Sequence, residues 1–391
     1  MMLNQNPSRD SALCSCYPPS GKKMAEKSDP AADLQNHSHC RFNPLLDEWV
    51  LVSPHRCNRP WTGEVSKPQS FDFPDYDPKN PLCPGNTRSN GKKNDNYTST
   101  FIFDNDFPAL QETDVFEPTF VNEMDIKDND SENIFYRTKP ATGKCRVMCF
   151  HPKSNLTIPL MTNEDLIKVI EKWAEETKEL TKKYCHVQVF ENKGAMMGCS
   201  NPHPHCQIWS TNYYPNILQK KIKSFTSYFK AHKSSLVYDY AKSELSNNSP
   251  RIVDKNQNWV ILVPFWALWP YETLLVFIGR EKVEHFFELT DEEKADLASI
   301  MKKITTRYDN LFKCSFPYSM GFAIGPNVED KENLGWQLHG HYFPPLLRSA
   351  TVKKHMVGYE LMAQAQRDLT SEMAAKKLKE VDADRHYTLD L

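Results

Sequence analysis

Glycine is scarce in this chain, with 13 residues in 391 against 27 prolines. That balance argues against a fold built on glycine-rich phosphate loops. An excess of one charge is missing as well: 48 Lys and Arg face 50 Asp and Glu, a formal net charge of −2. Neither a general nucleic-acid binder nor a polybasic membrane protein is favoured, and small ligands suit the balance better. The N-terminal segment lacks the basic, apolar and small-residue succession of a leader, and the 11 cysteines are odd in number and scattered, so reduced thiols in the cytoplasm are expected. The one long apolar run, Trp259 to Ile278, is broken by Pro264, Pro270 and Glu272. It reads as two buried strands flanking a Pro-bounded loop, not as a membrane span. The sequons at Asn96, Asn155 and Asn248 are then uninformative.

What is present is a globular composition, 39% hydrophobic and 12% aromatic, in a length that allows two or three domains. Residues 1–34 are polar, bear Ser and Pro and lack an apolar period, so a disordered tail is expected there. Cys14 and Cys16 with His37, His39 and Cys40 fit no common zinc spacing. Order is expected from about Arg41, with a strand at Trp49–Val52 ending at Pro54.

Two segments share one plan. After Thr162, residues Leu166, Val169, Ile170, Trp173, Leu180 and Tyr184 recur at helical spacing behind a Thr162/Asp165 cap; after Thr290, Leu297, Ile300, Met301, Ile304, Tyr308 and Leu311 follow a Thr290/Glu293 capping box. Each helix is preceded by a strand-like run (Val147 to Phe150; Leu274 to Ile278) and followed by another (Val187 to Phe190; Tyr318 to Ile324). Each half then carries alternating histidines, in NPHPHCQIW at 201–209 and WQLHGHYF at 336–343. A duplicated strand–helix–strand unit is the simplest account.

In an extended NPHPHCQIW, alternation puts His203, His205 and Gln207 on one face, and Pro202 and Pro204 favour the extended form. A polar row of this kind is costly to bury unless it meets a ligand, a metal or a partner. A neutral imidazole is a good nucleophile near pH 7; attack on phosphorus makes an N–P bond that a second acceptor can break. His205, in the middle, is the candidate nucleophile. The Gln207 amide can donate to a phosphoryl oxygen, and His203 can orient its neighbour or bind a metal.

The runs GAMMGCSNPHPHCQIW, FDNDFPAL, PFWALWPYETLL, SFPYSMG, WQLHGHYFPPLLRSAT and VGYELMAQAQRDLT, from about Arg41 to the C-terminus, resemble galactose-1-phosphate uridylyltransferases of the histidine-triad superfamily. The resemblance implies an α+β fold of two related histidine-triad-like halves, each an antiparallel sheet with packed helices, over residues 35–212 (catalytic) and 213–391. It implies exchange of UMP between UDP-glucose and galactose 1-phosphate through a covalent uridylyl-His205, with Gln207 holding the phosphate and Ser200 touching the phosphates. Arg56, Arg59, Ser89, Asn105, Asp106 and Asn192 are implied for the nucleotide, and Lys354, Val357, Tyr359, Glu360 and Gln366 for the hexose phosphate. A homodimer with sites completed across the interface is also implied, with no nucleic-acid or membrane partner and no organic cofactor. Read alone, the segment TVKKHMVGYELMAQAQ is an ordinary amphipathic helix start with Met and Leu in the core.

Zinc is typical of the family, yet both implied ligand sets are incomplete here. One set matches Asn80, Cys83, Ser154 and His203, and the other matches Lys221, Ala323, His339 and His341, with Glu329 or Glu332 as substitutes. Tight metal is not expected at either, and His339 and His341 are expected to pair with buried partners between the halves. Two rival functions remain: a histidine-triad phosphorylase acting on dinucleoside or GDP-sugar substrates, which VGYE with Gln366 disfavours, and a non-catalytic nucleotide sensor, which His205 and Gln207 disfavour.

Overall fold

The computed structural model describes Leu34 and residues 37–58, 73–112 and 140–390. Apart from Leu34, the expected tail lies outside the described residues, as does Arg59. Nine antiparallel strands form one sheet: β3 (Phe101–Asp104), β4 (Gly143–Cys149), β5 (His186–Lys193), β6 (His205–Thr211), β7 (Ile252–Lys255), β8 (Trp259–Leu262), β9 (Thr273–Phe277), β10 (Tyr318–Ala323) and β11 (His339–Phe343). Their order is β3-β4-β6-β5-β10-β11-β9-β8-β7.

That order contains a two-fold repeat. In the first half, β4 leads through helix α1 (Asn163–Leu180) to β5, and β6 returns between them. In the second, β9 leads through α4 (Asp291–Phe312) to β10, and β11 returns between them. The half-sheets meet where β5 and β10 pair, Asn192 opposite Ser319 and Val189 opposite Phe322. Both helices start as their caps dictate: Thr162 accepts from the Asp165 amide, and Thr290 and Glu293 cap each other.

Alternation along the strands gives the sheet two faces with different covers. One face packs Met148, Val189, Cys206, Ile261, Leu275 and Phe322 against the apolar stripes of α1 and α4. The Trp259–Ile278 run supplies β8 and β9, whose residues are all buried. On the other face, α2 (Asn216–His232) and α3 (Leu236–Ser246) cover only the second half, packing Leu218, Phe225, Leu236 and Val237 on Val260, Leu262, Leu274 and Val276. The same face of the first half has no helix on it among the described residues, and there His205, Gln207, Trp209, Phe190 and Asn192 are only half-buried.

A small sheet lies apart, with β1 (His39–Asn43) antiparallel to β2 (Glu48–Val52) and β14 (Gln366–Arg367) parallel to β2. Arg41, 2% exposed, ties it to the last long helix, α6 (Ser371–Lys379), through a two-pronged contact with Glu372, which Arg251 also engages. Between β11 and β14 run the paired strands β12 (Leu346–Ser349) and β13 (Val352–Lys353) and the single-turn helix α5 (Tyr359–Met362). The amphipathic helix expected there does not form: α5 is one turn long, opens at Gly358 with φ +52°, and leaves Leu361 69% and Met362 87% exposed.

Candidate active site

Strand β6 begins at His205, not at Asn201. Its lead-in is fixed by side chains: Asn201 Oδ1 accepts from the His203 amide at 2.9 Å, and the Asn201 and Asn80 amides exchange hydrogen bonds at 2.8 and 2.9 Å. His203 therefore does not share the half-open environment of His205 and Gln207. It is fully buried, with Nε2 2.8 Å from the His151 carbonyl and 3.2 Å from the Tyr97 hydroxyl, and Nδ1 3.7 Å from Cys83 Sγ. Burial holds its pKa down to about 4, so it is neutral at pH 7.

His205 sits at the wall of a cavity of about 330 Å³ whose lining includes Ser200, Asn192, Glu191 and Lys193. Its Nδ1 lies 2.7 Å from the His203 carbonyl, which can only accept. The proton is thereby assigned to Nδ1, and the Nε2 lone pair is left for the cavity. Burial lowers the His205 pKa from its ordinary value, which keeps that lone pair available at neutral pH. A second, smaller cavity joins His205 to Gln207, Asn192, Cys199 and Ser200. Gln207 Oε1 accepts from Trp209 Nε1 at 2.9 Å, so the amide NH₂ is the end left for a ligand. Asn192 is oriented the same way, its Oδ1 accepting from Ser319 Oγ at 2.7 Å across the junction of the halves. Ser200 is exposed on the loop after Gly198, whose φ of +75° suits glycine.

Ser154 and His203 also line the larger cavity, whereas the other described site residues named from the sequence line neither. Asn105 follows β3, one edge strand away, with its Oδ1 capping the Phe107 amide at 2.9 Å. Asp106 pairs with Arg88 at 3.1 Å, and Arg88 lies over the Phe103 ring at 4.0 Å. Ser89 is exposed beside them. Through the strand pairings, Phe103, Val147, Gln207 and Phe190 form one row across the uncovered face, with Trp209 edge-on to Phe190 at 5.6 Å. Arg88 and this aromatic row escaped the sequence reading, although FIFD, VFEN and QIW carry the alternation that places the rings there.

A second cluster gathers on the small sheet. Arg56 is exposed, and its carbonyl accepts from Arg348 at 3.1 Å. Lys354 contacts Glu360 and the Gln366 carbonyl, while Val357 and Tyr359 are 58% and 56% exposed. One chain thus carries two separate sets: His205, Gln207, Ser200 and Asn192 on the open sheet face, and Arg56, Lys354, Tyr359, Glu360 and Gln366 elsewhere.

The metal positions do not fit zinc. At the first, Asn80 is turned to Asn201, Ser154 Oγ lies 3.2 Å from Cys83 Sγ, and only Cys83 and His203 are good donors. At the second, Ala323 offers no donor side chain, Glu329 and Glu332 are exposed, and Lys221 contacts both histidines. Among the described residues no cluster of three or more His, Cys, Asp or Glu side chains could hold an ion.

A duplicated sheet-and-helix unit that offers a neutral imidazole and an oriented amide beside a polar cavity is the architecture of a histidine-triad protein. The family described as "Galactose-1-phosphate uridyl transferase, N-terminal domain" matches residues 29–215, and its C-terminal-domain counterpart matches 221–391. A galactose-1-phosphate uridylyltransferase of Rattus norvegicus is 50% identical over 376 residues, covering 95% of each chain; one of Haemophilus influenzae is 47% identical over 352, covering 90% of this chain and 96% of its own. A solved uridylyltransferase is 25% identical, with a TM-score of 0.65 over 88% of this chain and 98% of its own. An ADP-glucose phosphorylase from Arabidopsis thaliana, 19% identical, shares the fold with a TM-score of 0.66 over 88% of this chain and 100% of its own. The chain belongs to the galactose-1-phosphate uridylyltransferase family and is a nucleotidyltransferase of galactose metabolism.

Proposed function

We propose that the chain exchanges UMP between UDP-glucose and galactose 1-phosphate by double displacement at His205. The observation that carries this reading is the commitment of His205 Nδ1 to the His203 carbonyl, which leaves Nε2 as the free nucleophilic atom. Nε2 attacks the α-phosphorus, the bond to the β-phosphate oxygen breaks, and glucose 1-phosphate leaves with that electron pair. A phosphate oxygen of galactose 1-phosphate then attacks the same phosphorus, the N–P bond breaks, and UDP-galactose forms with His205 again neutral. Neither step needs a proton from water. Gln207 and Ser200 hold the phosphoryl oxygens as donors, which favours transfer over hydrolysis because neither presents a base to water.

Asn192, Asn105, Asp106 and Ser89 form the nucleotide side of this reading, with uracil against the aromatic row. The set containing Arg56 and Lys354 lines neither cavity at His205, which supports its serving a second copy in a homodimer, with Arg59 completing the arginine pair. The nine cysteines of the described residues are free thiols, which fits work in the cytoplasm. No helix among the described residues is long and apolar enough to cross a membrane.

The test is intact mass after mixing the chelator-treated protein with UDP-glucose. One added UMP that galactose 1-phosphate removes is expected, and its absence in His205→Ala places the adduct. Turnover in His205→Ala, or no adduct in the parent protein with or without zinc, would overturn the mechanism.

A further inference from the structure

On the covered face of the second half, two imidazoles aim at one lysine nitrogen. His339 and His341 lie two residues apart on β11, their rings 5.4 Å apart and nearly perpendicular. Lys221, on α2 and 8% exposed, brings Nζ to 3.0 Å from His339 Nε2 and 3.2 Å from His341 Nε2. The tautomers are fixed by their partners. His339 Nδ1 faces the Gln337 carbonyl at 2.7 Å and carries the proton. Burial pulls the Lys221 pKa down to about 7, with Glu272 opposing; as amine or ammonium its N–H groups can donate to both Nε2 atoms, which are then lone pairs directed at it. His341 then holds a proton on Nδ1 that finds no partner among the described residues, a cost accepted so that Nε2 stays an acceptor. Phe225 stacks on His339 at 5.7 Å and Phe343 on His341 at 5.3 Å, fixing both ring planes.

Two neutral imidazoles with their Nε2 atoms on one buried nitrogen are arranged as in part of a metal's coordination shell, with the Lys221 amino group in the metal's place. The repeat deepens the point. By strand order and His-x-His spacing, His341 is the counterpart of His205, and Phe343 of Gln207. Where the first half leaves its imidazole open to a ligand, the second half lays α2 over it and inserts Lys221.

We propose that the Lys221 side-chain nitrogen takes the place of a divalent metal in the second half, tying α2 to β11 through both imidazoles, so that this half folds without metal. The claim is independent of the transfer chemistry and is read by stability and metal content.

Metal analysis and thermal unfolding are measured on the full chain, as parent, Lys221→Met and Lys221→Glu, each after chelator treatment and with added zinc. The parent is expected to hold no zinc at this site and to keep its Tm through chelation. Lys221→Met, which removes the nitrogen, is expected to lose several degrees that zinc does not return. Lys221→Glu supplies a third donor beside His339 and His341, so one zinc per chain should bind and raise its Tm by about 3 °C or more. A parent Tm that falls on chelation and recovers with zinc, with that response lost in His339→Gln, would overturn the proposal. So would a folded Lys221→Glu that zinc fails to stabilise. Should Lys221→Glu not fold, the parent and Lys221→Met decide the matter.

Discussion

With Nδ1 engaged by the His203 carbonyl, His205 presents one nitrogen to the cavity, and its usefulness depends on that nitrogen's being unprotonated. Burial lowers its pKa below the ordinary 6.5. The rate of uridylyl-enzyme formation should therefore stay level from pH 8 through 6.5 and fall only at lower pH, as the imidazole takes up a proton. A single-turnover pH profile checks this; a rate already halved at pH 7 would contradict a lowered pKa. Gln207 carries a second prediction. Its carbonyl end is held by Trp209, so Gln207→Glu removes the donor and sets a carboxylate beside the phosphate. Loss of one such donor typically costs about 10²–10³ in kcat, and transient kinetics should find the loss in both half-reactions; an unchanged rate would remove Gln207 from the site. At this scale the His-x-His-x-Gln segment was legible because alternation and proline constrain it locally. The different fate of His203 was not, because Asn80, Tyr97, Cys83 and the His151 carbonyl come from distant parts of the chain.

Helices α1 and α4 take their starts from caps within four residues, so both starts are readable in the amino-acid sequence alone, whereas α1 ends at Leu180, before the Tyr184 that its spacing included. Their caps also yield a stability prediction. In α4, Thr290 Oγ1 accepts from the Glu293 amide at 3.3 Å while the Glu293 carboxylate accepts from the Thr290 amide at 2.8 Å. Thr290→Ala should cost about 1 kcal/mol, read as a lower urea midpoint at unchanged m-value, with exchange kinetics intact because α4 lies on the face opposite His205. A midpoint equal to the parent's would show that the Glu293 half of the box, helped by Arg280, suffices alone. Helices α2 and α3 escaped the sequence reading, although Leu218, Lys221, Phe225 and Phe229 follow helical spacing. A lysine in the apolar stripe obscures the pattern, and its reason for being there, the pair of imidazoles on β11, is a tertiary fact. The C-terminal segment failed in the opposite way: Leu361 and Met362 suggested a core and stand in solvent, because periodicity over four residues cannot distinguish a buried stripe from an exposed turn.

Across the whole molecule the duplicated plan was visible in the sequence, but the joining of both halves into one nine-stranded sheet was not, since the β5–β10 pairing links strands more than a hundred residues apart. The continuous sheet leaves many histidines in its interior, with a consequence for acid stability. Burial holds His186, His203 and His285 down to about 4 and lowers His205, His339 and His341 as well. These side chains are neutral in the folded protein, whereas in the unfolded chain they protonate near pH 6.5. Their contribution is complete above pH 6.5 and is lost as the pH falls towards 4, because only the unfolded state takes up the protons. Glu191 and Glu272, pushed up to about 7 by burial, act in the other direction: they favour the folded state below pH 4.5 and lose that contribution as the pH rises through 7. His151 is lowered and Glu284 raised by burial as well, so between pH 6.5 and 4.5 seven imidazoles oppose three carboxyls, and acidification should destabilise the fold by several kcal/mol, on the scale of about 1.4 kcal/mol per proton and pH unit. Urea midpoints at pH 7, 6 and 5 should fall in that order. A midpoint that holds or rises at pH 5 would mean that the buried glutamates, not the histidines, govern stability in acid.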